Sequence, residues 1–139
     1  MFVLKTFRMT GEYDAITAHH YSAYRPPLHK PILKRILGGE KKFSKGLDFG
    51  SGTGHSAVAL THFCDEVIGV EPSLAMRQMG LRHNNVKYQD FINDQLGFDA
   101  NTFDIISMAG SLFYAKSQTL LDELVRTGKN NAIIIVYDF

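Results

Sequence analysis

Residues 46–54, Gly46-Leu47-Asp48-Phe49-Gly50-Ser51-Gly52-Thr53-Gly54, limit what this chain can become more than any other stretch. The run begins like a short buried strand and ends in glycines at alternate positions. His55-Ser56-Ala57-Val58-Ala59-Leu60-Thr61-His62-Phe63, which follows, has helical character. Glycines at a strand-to-helix junction let the backbone turn sharply. Lacking Cβ, they also let a ligand lie directly on the peptide plane. The free N–H groups of the next helix point at whatever sits there. The stretch therefore predicts a β-turn-α unit built around a nucleotide-like ligand.

The detail of the spacing narrows the ligand. A dinucleotide site reads G-x-G-x-x-G, because the pyrophosphate must approach the helix N-terminus. Here the pattern is G-x-G-x-G, and His55 stands where the third dinucleotide glycine would be. Asp48 lies two residues before the first loop glycine. A carboxylate there repels a pyrophosphate and suits an ammonium or sulfonium charge. On these residues the chain resembles the class I S-adenosylmethionine-dependent methyltransferases of the small-molecule type. Their first motif reads hydrophobic-Asp/Glu-hydrophobic-Gly-x-Gly-x-Gly.

The downstream chain agrees with that resemblance. A helix is expected from Gly54 to Cys64, with Ala57 and Ala59 small enough to pack closely on a sheet. Glu66-Val67-Ile68-Gly69-Val70-Glu71 reads as a second strand, and Pro72-Ser73 opens a helix through Gly80 with Met76 and Met79 inward. Glu71, at the strand tip, is placed to accept both hydroxyls of a ribose. The same device serves nicotinamide enzymes, and an acid favoured by the helix dipole is the plainer alternative. Asn85 to Phe91 reads as a third strand. The resemblance implies that Asp90 accepts from an adenine amino group while Phe91 packs against the ring. Leu96-Gly97-Phe98-Asp99-Ala100-Asn101-Thr102-Phe103-Asp104 is similar to a run of the same family, with Gly97 replacing its proline. The fourth strand ends at Ser107-Met108-Ala109-Gly110 and faces the methionine part and the methyl acceptor, as the family implies. Leu112, Phe113 and Tyr114 follow; Tyr114 is a candidate for substrate contact or for the core. Ser117 caps a helix striped by Leu120, Leu121, Leu124 and Val125. Gly128-Lys129-Asn130-Asn131 ends that helix, and the apolar run Ala132 to Tyr137 is a buried fifth strand.

The arm before the core, residues 1–45, is rich in Tyr and His between Glu12 and Arg25. Pro26-Pro27 opens a helix whose Leu28, Ile32, Leu33, Ile36 and Leu37 share a face, with Pro31 in the first turn and Gly38-Gly39 at the end. Glu40 to Lys45 reads as a solvated linker. The segment from Tyr13 through Tyr21, Tyr24 and Arg25 resembles the lid of small-molecule methyltransferases. That implies an Arg25 fork on the methionine carboxylate; a surface or capping arginine is the alternative. Tyr13, Tyr21 and Tyr24 are candidate substrate-pocket residues, with ordinary packing as the alternative. His19, His20 and Tyr21 are the candidates for a general base. Adjacent histidines on a helix point about 100° apart, and no set with ligand spacing accompanies them, so no metal is expected.

At 139 residues with a net charge of +1, the expectation is one domain with no electrostatic call for nucleic acid. The single cysteine, Cys64, admits no internal disulfide and fits a reducing compartment, as a small buried helix residue. No apolar run approaches the ~20 residues that span a bilayer, so a soluble cytoplasmic protein is expected. The fold class is α/β: a doubly wound, mostly parallel, Rossmann-like sheet in order 3-2-1-4-5, counted from the strand at Gly46. Helices cover both faces, an N-terminal helical arm covers residues 1–45, and the core runs over 46–139. The family continues with two further strands, so the 132–137 edge is expected to be open and to invite association with another copy. The expected cofactor is S-adenosylmethionine, held by Asp48, Gly50, Ser51, Gly52, Gly54, Glu71, Pro72, Asp90, Phe91, Ser107 and Arg25. The expected reaction is in-line methyl transfer to a small molecule, which needs positioning and desolvation more than acid–base help. A cofactor-binding module without its own turnover and a nicotinamide oxidoreductase are the competing readings.

Overall fold

A computed structural model describes residues 2–4, 27–39 and 42–139 of the chain. In chain order the elements are β1 (Phe2–Leu4), α1 (His29–Leu37), β2 (Phe43–Phe49), α2 (His55–Leu60), β3 (Cys64–Val70), α3 (Leu74–Gln78), β4 (Val86–Gln89) and β5 (Phe103–Ala109). A short 3-10 turn at Leu112–Tyr114, α4 (Gln118–Thr127) and β6 (Gly128–Tyr137) complete it. The strands form one sheet in the order β1-β6-β5-β2-β3-β4, and every ladder in it is parallel. The five strands expected from sequence therefore stand in the expected 3-2-1-4-5 order. The order reverses beside β2, so the C-terminal tips of β2 and β5 lie where open sheets of this kind place their ligands, at the strand carrying the glycine loop.

Alternation along the buried strands divides the core between the two faces. Leu33 of α1 and Ala57, Ala59 and Leu60 of α2 pack with Val67, Ile105, Ile135 and Tyr137 on one face. Leu120 and Leu124 of α4 pack with Leu47, Phe49, Ile106, Met108 and Val136 on the other. In α1, Pro31 falls in the first turn, where its missing N–H costs nothing, and Gly38 ends the helix at φ +79°. Leu28 stands just outside that helix and is exposed rather than part of its apolar face.

Several boundaries differ from the sequence reading for local reasons. Helix α2 stops at Leu60, not at Cys64. Thr61 Oγ1 donates to Val58 O at 2.6 Å and His62 Nδ1 meets Ala59 O at 3.1 Å, occupying carbonyls that a continuing helix would use. Cys64 is buried as expected, but it opens β3 opposite Phe43 instead of closing a helix. Gly128 to Asn131 belong to β6 and are not a separate turn. There the register steps from Phe103 opposite Gly128 to Ile105 opposite Ile133, an irregularity filled by Asp104, which accepts from Lys129 Nζ at 2.8 Å and Lys45 N at 2.9 Å. Val125 points to solvent, outside the α4 stripe, and Met79 is only partly buried, whereas Met76 is buried.

The edge of β6 is not open along its length. Phe2, Val3 and Leu4 of β1 pair with Ile134, Ile135 and Val136, so over that part of the 132–137 edge the backbone is paired within the chain. Sequence patterning missed β1 because a three-residue strand has no periodicity to detect.

Candidate functional site

Between β2 and α2 the chain passes through Gly50, Gly52 and Gly54 at φ +71°, +55° and +92°, a left-handed conformation that only glycine adopts without strain. The space left by the absent side chains is used by the protein itself. A Cβ on Gly50 would lie 2.4 Å from Ser111 Cβ, and one on Gly54 would lie 2.0 Å from Tyr88 Oη. Gly50 N and Ser51 N both donate to Val70 O, at 2.7 and 3.1 Å, which pins the loop to the tip of β3. The hydroxyls of Ser51 and Thr53 are buried without a hydrogen-bond partner among the described residues. Buried polar atoms are normally satisfied, so the loop retains bonding capacity that the described protein atoms do not use.

Two acids flank this loop. Asp48, near the end of β2, is wholly buried; its Oδ2 accepts from Ser56 Oγ at 2.5 Å and its Oδ1 from Ser107 Oγ at 2.7 Å. The carboxylate thus joins β2 to α2 and β5. Its partners are hydroxyls, and no cation among the described residues pairs with it. Burial raises its pKa to about 6 against the pull of both hydroxyls, and the neighbouring charge of Glu71 adds to the rise. Glu71 follows β3. Its Oε1 accepts from Gly52 N at 3.0 Å and its Oε2 from Ser73 N at 2.8 Å, so it bridges the glycine loop and the cap of α3. Burial raises its pKa too, while those two N–H bonds and nearby Arg77 oppose the rise.

The other expected residues are distributed around this centre. Arg77 of α3 donates to Glu71 O and lies 3.6 Å from Asp90 Oδ1, linking the tips of β3 and β4. Asp90 is exposed and accepts from Phe91 N at 2.7 Å; the Phe91 ring rests against Phe49 at 5.6 Å. Pro72 is exposed beside Glu71. Ser107 is buried and committed to Asp48. Tyr114 sits in the 3-10 turn beyond β5, edge-on to the exposed Phe113 at 5.7 Å. The readings made for Tyr13, His19, His20, Tyr21, Tyr24 and Arg25 lie outside the described residues. Among the described residues no group of three or more His, Cys, Asp or Glu side chains could hold a metal ion.

Sequence reasoning passed over three side chains that shape the site. Ser56 is the polar residue on the sheet-facing side of α2, where Ala57, Ala59 and Leu60 prepare an apolar surface. Ser111 donates to Phe49 O at 2.5 Å and fills the space opposite Gly50. Tyr88 stands in register with Gly69, and a glycine inside a strand is the signal that could have found it.

Taken together, the arrangement fits a cationic nucleoside and not a diphosphate. Two buried carboxylates repel phosphate, and one of them already takes the Gly52 N–H that a phosphate would need. A positively charged ligand would instead relieve a buried acid that no cation among the described residues pairs with.

Comparisons with known proteins converge on one family. A family model described as a methyltransferase domain matches residues 47–136. A Dictyostelium discoideum protein named as a candidate methyltransferase is 22% identical over 120 residues, covering 86% of this chain and 46% of its own. A Saccharomyces cerevisiae protein named as a probable S-adenosylmethionine-dependent methyltransferase is 26% identical over 114 residues, covering 76% of this chain and 39% of its own. The chain thus spans less than half the length of either relative. The crystal structure of an S-adenosylmethionine-dependent methyltransferase from Aquifex aeolicus superposes with a TM-score of 0.75 at 21% identity, over 92% of this chain and 74% of that one. At that identity the superposition speaks for the fold. The family match runs from the second residue of the glycine stretch nearly to the end of β6, and with it the chain belongs to the methyltransferase-domain family.

Proposed function

We propose that this chain binds S-adenosylmethionine in the crevice beyond β2, β3, β4 and β5 and takes part in methyl transfer to a small-molecule acceptor. The observation that carries the reading is the Asp48 carboxylate, fully buried beside the glycine loop with hydroxyl partners and no cation among the described residues. The cofactor supplies an activated methyl group on a sulfonium centre. Asp48 provides the negative potential that favours its charge, and the loop at Gly50, Ser51, Gly52 and Gly54 positions the amino-acid end. The free hydroxyls of Ser51 and Thr53 are donors and acceptors available there. Glu71 accepts from ribose hydroxyls, with Pro72 beside it. Asp90 accepts from the adenine amino group, with Phe91 held against Phe49 below it. Ser107 keeps the Asp48 carboxylate oriented rather than meeting the ligand itself.

Under the same reading Arg25 holds the methionine carboxylate, Tyr13, Tyr21 and Tyr114 line the acceptor side, and His19, His20 or Tyr21 serves any proton transfer. A second reading has one specific support. Because the chain covers 46% and 39% of its curated relatives, it also suits a cofactor-binding module that needs further protein for turnover. Among the described residues no helix is long and apolar enough to cross a membrane.

Calorimetric titration of the full chain with S-adenosylmethionine, S-adenosylhomocysteine and NAD tests the reading. Saturable binding of the first two, and none of NAD, is expected. Binding of NAD with no response to S-adenosylhomocysteine overturns it. A screen of acceptors with methyl-labelled cofactor then separates an active enzyme from a binding module.

A further inference from the structure

Tyr88, on β4, is half-buried and faces three glycines at once. A Cβ on Gly54 would meet its Oη at 2.0 Å, one on Gly69 its Cδ1 at 2.9 Å, and one on Gly80 its Cε2 at 3.1 Å. The ring therefore occupies a slot that exists because three separate segments carry no side chain. Gly69 lies directly across the ladder from it, Gly80 follows α3, and Gly54 is the last glycine of the loop. Filling that slot needs only a ring, but the hydroxyl has a task of its own. Tyr88 Oη donates to Leu81 O at 2.7 Å, and Leu81 N donates to Thr53 O at 3.0 Å. A two-bond relay thus runs from β4 through residue 81 to the glycine loop. Among the described residues the segment it reaches has few other tethers: Gly54 N bonds Ser51 O within the loop, Gly54 O receives Val58 N, and the Thr53 hydroxyl has no partner. Burial and the Asp48 charge push the Tyr88 phenol up to about 12, so it remains a neutral donor across the physiological range.

We propose that Tyr88 is a positioning residue for the cofactor site: its ring and hydroxyl fix Thr53 and Gly54 in the conformation that receives the amino-acid end of the ligand. The ligand's identity rests on the reading under Proposed function; the strut itself does not. Holding a loop in its bound shape beforehand removes an ordering cost from binding. The relay meets the loop at Thr53, while Glu71 keeps its own bond to Gly52 N and Asp90 its ion pair with Arg77, so its loss should weaken the amino-acid end of the ligand more than the other.

The experiment uses the full chain and Tyr88→Phe, which keeps the ring in its slot and removes the hydroxyl alone. Calorimetry with S-adenosylhomocysteine is compared with 5′-methylthioadenosine, which lacks the amino-acid end. Hydrogen exchange at residues 53–56 is followed in the ligand-free proteins, and melting temperatures are recorded. Tyr88→Phe should bind S-adenosylhomocysteine about five- to tenfold more weakly, the scale of one lost neutral hydrogen bond. It should bind 5′-methylthioadenosine within about twofold of wild type, since the ribose and adenine contacts are untouched. Exchange at residues 53–56 should quicken with little change in melting temperature. Equal weakening toward both ligands, unchanged affinity for both, or unchanged exchange overturns the proposal. If wild type ignores both ligands, the cofactor reading fails, and the exchange comparison alone decides whether the strut holds the loop.

Discussion

At the scale of single residues, the site is built from side chains that are costly to bury and glycines that cannot be replaced. Asp48 has a pKa of about 6 in the fold against an ordinary 3.8. Below that ordinary value the carboxyl is protonated in both states and costs nothing. Between the two values the unfolded chain ionises while the fold still holds the proton, so stability falls as pH rises through that window and stays lower above it. Asp48→Asn never ionises. It should therefore be more stable than wild type at pH 8, by up to something on the order of 3 kcal/mol for a shift of that size, with the difference fading toward pH 4. Urea melts at both pH values check this; an advantage that does not change with pH would show that burial of the charge is not the cause. Gly50→Ala meets two obstacles, φ +71° and a contact of 2.4 Å with Ser111 Cβ. It should cost about 2 kcal/mol or more. Pairing it with Ser111→Gly should recover only the steric part, because the backbone strain remains and Phe49 O loses its donor; a double variant as stable as wild type would refute that division.

At the scale of elements, short helices depend on their ends. Ser117 accepts from Leu120 N at 3.0 Å to start α4 and donates to Asp94 Oδ2 at 2.8 Å. Asp94 and Asn93 hold positive φ, +59° and +52°, in the tight turn closed by Ile92 and Gln95. Ser117→Ala should cost about 1 kcal/mol as a lost cap and should loosen that turn as well. Chemical denaturation gives the first effect, and amide exchange at residues 92–95 the second; protection unchanged at the turn would separate it from α4. The cap was legible in the sequence because serine before an apolar stripe is a local signal. The end of α2 was not. The side chains of Thr61 and His62 take up the carbonyls of Val58 and Ala59, and the pairing of Phe43 with Cys64 across the sheet opens the next strand, neither of which the apolar pattern announces.

At the scale of the whole molecule, α1 and β6 are joined by a buried hydrogen bond of long range as well as by apolar packing. His29 Nδ1 and Tyr137 Oη lie 2.8 Å apart, with the His29 ring also edge-on to Phe139 at 4.9 Å. Tyr137→Phe keeps the ring and removes that hydrogen bond. It should cost about 1 kcal/mol and speed amide exchange in α1 more than in β2; uniform acceleration in both would mean that the contact does not serve α1 in particular. The strands, the glycine turn and the acids at positions 48 and 71 could be read from the chain, because each rests on short-range patterning: alternating burial, turn chemistry, a carboxylate at a strand tip. The order of the sheet followed from the alternation of strands and helices together with the family resemblance. The tertiary structure alone decided which side chains the glycines serve and how β1 covers β6. It also decided that Ser56 and Ser107 close on Asp48. Apart from Ser56 with Asp48, eight residues apart, those are contacts between residues far apart in sequence. Their partners are chosen by packing distance after the strands have paired, and no local pattern records that distance.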